Sequence, residues 1–259
     1  MMAKKCIQGR ACSGTCISKN KECLVEASYS SKQLANSHQD LVSSAVPTFN
    51  TNNVIAQGNY GKVTLSDDGK AVKKELLTER EGNEWGTMEV ELGIKMGEAG
   101  YGPKVYPHLT NDTQIVMDAS KGKPIWEGYR PAEGEPEAMS EAAGRKALDA
   151  LMYMHRDLGA YHNDAHAQQF LVDGDNVDLI DFGLSGKIEG DDGWAKATTD
   201  LRKSRKFIGL DRFQEDEGIV GEVAKLLTQD AEIKGSSKAA KAAKALTAQR
   251  YKELMTNGK

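Results

Sequence analysis

One stretch of the sequence limits the fold more than any other, because it sets two acidic residues around a pair of short apolar runs. The first acid, Asp164, ends the triplet His162-Asn163-Asp164. Apolar runs at 170–172 and 177–180 follow, separated by a Gly- and Asn-containing turn at 173–176. The second acid, Asp181, opens the triplet Asp181-Phe182-Gly183 directly after the second run. The stretch therefore predicts two short strands joined by a turn, with one carboxylate before the first strand and one after the second.

Both triplets resemble motifs of the protein kinases. In that family a catalytic-loop Asp accepts the proton of the substrate hydroxyl, and a later Asp ahead of Phe-Gly holds Mg²⁺ against the ATP phosphates. The resemblance implies these two roles for Asp164 and Asp181. It also places Gln169 where the family has the Asn that ligates a second Mg²⁺. The Gln amide oxygen can ligate Mg²⁺ too, and the alternative is that Gln169 only hydrogen-bonds the catalytic loop.

A second match to the catalytic-loop motif, His155-Arg156-Asp157-Leu158, is rejected. Five residues after Asp157, where the family has Asn, this sequence has His162, and no apolar strand follows directly. With the motif placed at His162 instead, Met154-His155 and Gly159 resemble the helix end and turn before the catalytic loop of small atypical kinases, the RIO and tRNA-modification-associated types. We therefore expect His155 to have a structural role.

The upstream half resembles the nucleotide-binding part of the same family. The segment from Ala56 to Val63 is similar to the glycine-rich hairpin that covers the phosphates, and Ala71-Val72-Lys73 is similar to the strand whose lysine contacts the α- and β-phosphates. Lys74 is an adjacent alternative to Lys73, but alternation along a strand lets only one of the two enter the cleft. The candidate nucleotide-binding residues here are Gly58, Tyr60, Gly61, Val63, Ala71 and Lys73.

The segment that follows the lysine strand predicts a helix and then another strand. Residues 84–100 are Glu-rich with apolar residues at helical spacing, and Gly100-Tyr101-Gly102-Pro103 predicts the helix end. Glu89 lies where small kinases have the glutamate that pairs with the lysine, with Glu84 and Glu91 as alternatives. Residues 114–118 resemble the strand and hinge that receive the adenine, with Asp118 to Ser120 as the hinge backbone. The resemblance adds three nucleotide contacts: Met117, Asp118 and Ala119.

The resemblance implies an α+β, two-lobed protein kinase-like fold over residues 50–259, with an N-lobe at about 50–120 and a C-lobe at about 121–259. It implies ATP and Mg²⁺ or Mn²⁺ as cofactors, and Asp164, Lys73 and Glu89 as the catalytic set. A protein Ser/Thr hydroxyl is the favoured acceptor. The alternatives are a small-molecule hydroxyl or a silent kinase-like scaffold. Asp200 is expected either to anchor the catalytic loop or to cap a helix.

All four cysteines of the chain lie in its first 23 residues, at positions Cys6, Cys12, Cys16 and Cys23. Nearby glycines and basic residues suit a centre of four converging thiolates. An iron–sulfur cluster is favoured because its cysteines tolerate varied spacing, whereas zinc sites prefer closer pairs. The alternatives are a zinc site, two disulfides or four unligated thiols. The segment also resembles cysteine-rich segments of tailed-phage proteins, which would place the protein in a host cytoplasm.

Composition limits the remaining function classes. Residues 1–27 form the cysteine-rich segment, and the polar residues 28–49 predict a linker. No apolar run approaches a membrane span and no signal peptide is recognised, so we expect a cytoplasmic protein. The net charge of −4 argues against nucleic acid as a partner, although the second of two predicted C-terminal helices is Lys-rich.

Overall fold

The computed structural model describes residues 46–58, 61–76, 84–111, 113–125, 138–233, 235 and 237–257, and the backbone alone of residues 10–12 and 15–17. Of the side chains at 84–87 nothing is described. The chain divides into two units, Met1–Val46 and Pro47–Lys259, which we treat separately.

The described part of the first unit is an antiparallel pair of short strands, β1 (Arg10–Cys12) and β2 (Thr15–Ile17). Cys6 and Cys23 lie outside the described residues, and so do the side chains of Cys12 and Cys16. The predicted four-cysteine centre and most of the predicted linker therefore stay predictions.

The second unit begins with a four-stranded antiparallel sheet in the order β3-β4-β5-β6. The turn between β4 and β5 needs Gly69, whose φ of +71° lies in the left-handed region that side chains disfavour. Asp68 stabilises the same turn, because its Oδ1 accepts hydrogen bonds from Ser66 Oγ at 2.7 Å and from the Lys70 N–H at 3.0 Å. The strands are β3 (Phe49–Gln57), β4 (Gly61–Ser66), β5 (Ala71–Leu76) and β6 (Gln114–Asp118).

Helix α1 (Glu84–Glu98) lies between β5 and β6 in sequence, as predicted. Its residues Leu92 and Met96 are buried in the main core, which fixes the face that the helix presents inward. The helix ends at Gly100, whose φ is +75°, and the Tyr101 N–H donates back to the Met96 carbonyl at 2.9 Å. The helix end predicted from the sequence is thus confirmed, and its glycine has the left-handed conformation common at helix C-termini.

The C-terminal part is mainly helical and holds most of the core. Helix α2 (Glu141–Arg156) starts at Ser140, whose Oγ accepts a hydrogen bond from the Ala143 N–H at 3.1 Å. The other helices are α3 (Gly190–Ile208), α4 (Ile219–Ala231) and α5 (Lys238–Asn257). The largest fully buried side chains include Leu148, Leu151, Phe170, Leu201, Phe213 and Tyr251.

Two small sheets lie on this helical part and carry the predicted acidic stretch. The predicted strand pair is present as β9 (Phe170–Asp173) and β10 (Asn176–Leu179), with β7 (Lys123–Pro124) added beside β9. The second sheet pairs β8 (Ala160–Tyr161) with β11 (Gly186–Lys187).

The two predicted C-terminal helices are confirmed as α4 and α5. Helix α4 begins at Ile219, directly after Gly218, whose φ of +74° a right-handed helix excludes. None of the helices in the described ranges is long and apolar enough to cross a membrane.

Candidate active site

The segment that follows β8 is held in place by a buried carboxylate on α3. Asp200 is fully buried, and its two oxygens accept hydrogen bonds from the backbone N–H groups of His162 at 2.7 Å and Asn163 at 2.8 Å. Asn163 has a φ of +69°, a conformation that costs free energy and persists only where the surrounding structure fixes it. Asp200 therefore anchors the loop that carries Asp164, which confirms the anchoring role considered from the sequence.

His155 contributes to the same anchor and not to an open site. Its ring is buried, with Nε2 3.2 Å from Asp200 Oδ2 and Nδ1 2.7 Å from the Tyr251 hydroxyl. Asp157, the acid of the rejected motif, lies at the end of α2 and forms an ion pair with Arg156 at 2.8 Å. The structural role predicted for His155 is confirmed.

His162 joins the loop to the strand that leads to Asp181. Its Nε2 lies 2.9 Å from the Ile180 carbonyl oxygen, and its Nδ1 accepts a hydrogen bond from the Asp164 N–H at 3.3 Å. A carbonyl only accepts, so the ring proton is on Nε2 and the ring is neutral. Burial lowers the pKa of His162, which favours this neutral form. The position of Asp164 is thereby linked to that of Asp181.

The Asp164 carboxylate is partly exposed and is bound on one side. Its Oδ2 lies 3.2 Å from His166 Nε2 and accepts a hydrogen bond from Gln169 Nε2 at 3.3 Å. Its Oδ1 accepts no hydrogen bond from any residue that the structure describes, and the same part of the structure offers no partner for Gln169 Oε1. One oxygen of each side chain is thus available to a ligand.

Asp181 adopts a left-handed backbone conformation at the end of the strand pair, with φ of 64°. Phe182 is buried beside the His162 ring, at 5.4 Å between centroids, which fixes the backbone next to the acid. The Asp181 Oδ1 lies 2.6 Å from the Lys74 Nζ. Burial alone would raise the pKa of Asp181, but the charge and hydrogen bond of Lys74 hold that pKa below its usual range. The carboxylate is therefore ionised.

Lys74, and not Lys73, forms the ion pair with Glu89. Glu89 was placed correctly on α1, but its predicted pairing with Lys73 is wrong. The Lys73 ammonium lies instead 3.1 Å from Glu75 and over the Phe49 ring, 5.6 Å from its centroid.

The strand register explains this correction. Val63 lies opposite Lys74 in the β4–β5 pair, whereas Thr64 lies opposite Lys73. Since paired residues share a face and neighbours alternate, Lys74 lies with Val63 on the cleft side of the sheet. By the same alternation Ala71, another predicted nucleotide contact, lies on the Lys73 face, whereas Val72 lies on the cleft side with Lys74.

Burial and charge act against each other around Lys74. Burial lowers the pKa of the Lys74 ammonium, but the Glu89 and Asp181 carboxylates outweigh this and raise that pKa above its ordinary value. Burial also raises the pKa of Glu89, and Lys74 offsets the effect only in part. The single positive charge of Lys74 is thus paired with two carboxylates, Glu89 on α1 and Asp181 after β10.

Two glycines allow the backbone to lie close to the Lys74 and Glu89 side chains. A Cβ on Gly183 would lie 3.0 Å from Glu89 Oε2, and a Cβ on Gly61 would lie 3.3 Å from the Lys74 Cε and 2.8 Å from the Glu75 carbonyl oxygen. At Gly58 the backbone N–H closes the β3–β4 turn onto the Gly61 carbonyl at 2.9 Å. Tyr60 lies outside the described residues.

The hinge strand lies at the predicted place. Met117 is opposite Val72, and so lies on the cleft side with Lys74. The N–H groups of Asp118 and Ala119 already donate to the carbonyls of Lys104 and Lys70, each at 2.8 Å. Among the described residues none accepts a hydrogen bond from the Ser120 N–H. Sequence reasoning included Ser120 in the hinge but did not single it out.

The donor set of the cleft fits Mg²⁺. Asp181 and Gln169 offer hard oxygen donors, and the described residues contain no cluster of three or more His, Cys, Asp or Glu suited to a metal. A cation held here would depend on these two side chains together with ligand oxygens. Mg²⁺ commonly binds in this way, through one or two protein ligands and substrate phosphates.

Comparisons with curated proteins and with solved structures each find a kinase to which this chain is similar. No family model matches the chain. Among curated proteins it is similar to the serine/threonine-protein kinase CHK1 of Saccharomyces cerevisiae, with 24% identity over 105 residues, or 40% of this chain. The match spans only 20% of the length of that relative.

Among solved structures, the chain is similar to a Rio2 kinase from Chaetomium thermophilum, solved as an ADP/Mg²⁺-phosphoaspartate complex. The TM-score is 0.47 and the identity 14%, over 83% of this chain and 74% of that chain. Three strands of the large sheet come first in the second unit, followed by helix α1 with Glu89, the strand β6 and the helical part. This order is that of the two-lobed α+β, kinase-like fold predicted from the sequence, and the prediction is confirmed.

Proposed function

We propose that this protein is an ATP-dependent phosphotransferase of the kinase type, acting on a Ser or Thr hydroxyl of a protein. The observation that carries the proposal is the Lys74 bridge between Glu89 and Asp181, next to a loop that holds Asp164 with one carboxylate oxygen available. An ammonium, a metal-binding carboxylate and a proton acceptor are the groups that phosphoryl transfer needs.

The nucleotide lies in the cleft on the Lys74 face of the sheet. Lys74 contacts the α- and β-phosphates, with Glu89 holding its side chain in position. The Gly58–Gly61 turn covers the phosphates, and Val63, Val72 and Met117 contact the adenine. The Ser120 N–H, which is available, donates to an adenine nitrogen.

In the reaction, Asp164 accepts the hydroxyl proton at Oδ1 while its Oδ2 is held by the loop. The hydroxyl oxygen attacks the γ-phosphorus, the bond from that phosphorus to the bridging oxygen breaks, and ADP leaves. Asp181 and the Gln169 amide oxygen hold the cation. When bound, Mg²⁺ neutralises the negative charge that builds up on the phosphates.

A protein hydroxyl is the proposed acceptor because little chain separates Gly183 from α3. Only residues 184–189 lie between them, which leaves no additional helices to enclose a small molecule at this point.

The four cysteines are proposed to hold an iron–sulfur cluster in a cytoplasmic protein. Broad visible absorption from anaerobically purified protein supports the cluster, and a colourless protein with stoichiometric zinc contradicts it.

Incubation with [γ-³²P]ATP and Mg²⁺ or Mn²⁺ tests the proposed reaction. We expect label on Ser or Thr of the protein itself or of a generic basic protein. Asp164→Ala should reduce the rate by roughly 10²-fold or more, the usual range for a general base. Asp157→Ala, which alters the acid of the rejected motif, should change it little.

Two outcomes contradict this proposal. A wild-type protein that binds nucleotide but transfers nothing with either metal is a silent scaffold. Label that reaches only small hydroxyl compounds assigns the site to a small-molecule kinase.

A further inference from the structure

The proposed proton acceptor has a neighbour that the reaction described above does not use. His166 lies two residues after Asp164, at the start of the short 3₁₀ turn Ala167–Gln169, and its side chain is 40% exposed. Its Nε2 is 3.2 Å from Asp164 Oδ2.

The second ring nitrogen of His166 identifies the tautomer. Nδ1 accepts a hydrogen bond from the Gln168 backbone N–H at 3.3 Å. A nitrogen that accepts from an N–H group carries no proton, so in the neutral ring the proton is on Nε2. His166 therefore donates to Asp164.

The same assignment resolves the contact of Gln169 with both residues. Gln169 Nε2 lies 3.3 Å from His166 Nε2 and also 3.3 Å from Asp164 Oδ2. Two N–H groups cannot donate to each other, so the amide donates to Asp164. Asp164 Oδ2 thus accepts two hydrogen bonds, and Oδ1 is the oxygen that faces a ligand.

This geometry also excludes His166 itself as the base, because neither of its nitrogens has a lone pair available in that tautomer. We propose that His166 is a positioning residue: its Nε2–H fixes the rotation of the Asp164 carboxylate so that Oδ1 meets the acceptor hydroxyl. The inference rests on the proposed phosphotransfer and adds a residue to its machinery.

Two amide substitutions separate the two contacts of the ring. The Gln amide nitrogen reaches about the position of Nε2, so His166→Gln keeps a donor for Asp164. The shorter Asn places its oxygen near Nδ1, so His166→Asn keeps the contact with the Gln168 N–H and loses the donor.

Steady-state kinetics with ATP and the labelled acceptor decide between the roles. His166→Ala and His166→Asn should lower kcat by roughly 10-fold, because positioning of a reacting group is worth factors of this size, with KM for ATP unchanged. His166→Gln should recover most of that loss. Recovery by Asn instead of Gln, or equal rates in all three variants, overturns the proposal.

A measurement without turnover keeps this inference separate from the proposed function. In ¹⁵N-histidine-labelled protein, the His166 ring should show the Nε2–H tautomer, and Asp164→Ala should move its Nε2 proton upfield as the acceptor is lost. An Nδ1–H tautomer, or a ring spectrum unaffected by Asp164→Ala, contradicts the contact. If the wild type transfers no phosphoryl group, the proposed function fails, and this spectrum alone decides whether His166 orients Asp164.

Discussion

At the scale of single residues, the cleft depends on one buried ammonium shared by two carboxylates. The Lys74 and Glu89 side chains are only 11% and 7% exposed, so their charges are poorly screened by solvent. Removing one partner of a buried ion pair costs about 3–5 kcal/mol, because the other charge is left without compensation. Lys74 therefore contributes to the packing of α1 as well as to the proposed chemistry.

Gln169 is the second residue on which the proposed metal site depends. If its free amide oxygen ligates the cation, Gln169→Ala should raise the Mg²⁺ concentration needed for the half-maximal rate by several-fold. Mn²⁺, a larger ion that also accepts oxygen ligands, should support the wild type at least as well as Mg²⁺. Titration of both metals against both proteins measures this. Identical metal dependence would leave Asp181 as the protein ligand and restrict Gln169 to its hydrogen bond with Asp164.

The two adjacent lysines show where prediction from the sequence ends. Alternation predicts that only one of them enters the cleft, but a motif of three residues cannot decide which one. The choice is made by the β4–β5 register, which places Val63 opposite Lys74. Register depends on turns and bulges along the paired strands, and a shift of one residue exchanges the two faces.

At the scale of elements, the loop that carries Asp164 is held by a helix that follows it in sequence. Asp200 on α3 accepts two backbone hydrogen bonds from the loop and lies next to His155 on α2. Three elements therefore meet at one buried carboxylate, and the left-handed conformation of Asn163 depends on it.

Asp200→Asn should destabilise the protein and slow the proposed reaction together. The Asn amide nitrogen would face a backbone N–H, and an unsatisfied buried group costs about 1–3 kcal/mol. For a domain of this size, each kcal/mol lowers Tm by roughly 2–4 °C. Thermal unfolding followed by circular dichroism measures the change. Asp191→Asn, at a side chain that is 93% exposed, is the matched control and should leave Tm nearly unchanged; equal Tm values for both variants would contradict the anchor.

The elements with strong local signals were predictable, and the short ones were not. Strands β9 and β10, helix α1 and the two C-terminal helices follow from apolar periodicity and glycine positions. The pairs β7–β9 and β8–β11 contain strands of only two residues. Such strands form because tertiary packing brings two segments together, so their own sequences carry no periodic signal. His166 was missed for a similar reason, since its role depends on the turn geometry of one loop.

At the scale of the second unit, the site lies where the sheet and α1 meet the helical part. Lys74 connects β5 to Asp181, the Ser120 hydroxyl donates to Asp178 at 2.6 Å, and the Leu179 N–H donates to the Tyr101 carbonyl at 2.8 Å. These contacts cross between the two lobes and set their separation. A nucleotide bound between them would contact both lobes at once, as the proposed function requires.

The central claim is that Lys74, held by Glu89 and Asp181, is the phosphate-binding lysine of a phosphotransfer site. The rate of γ-phosphoryl transfer in Lys74→Met and Lys73→Met tests it most directly, since the two changes are chemically identical and one residue apart. With folding verified by circular dichroism, we predict that Lys74→Met loses transfer by roughly 10²-fold or more, as expected for loss of a preorganised charge at the phosphates, whereas Lys73→Met stays close to the wild type. A loss in Lys73→Met with activity retained in Lys74→Met would contradict the account.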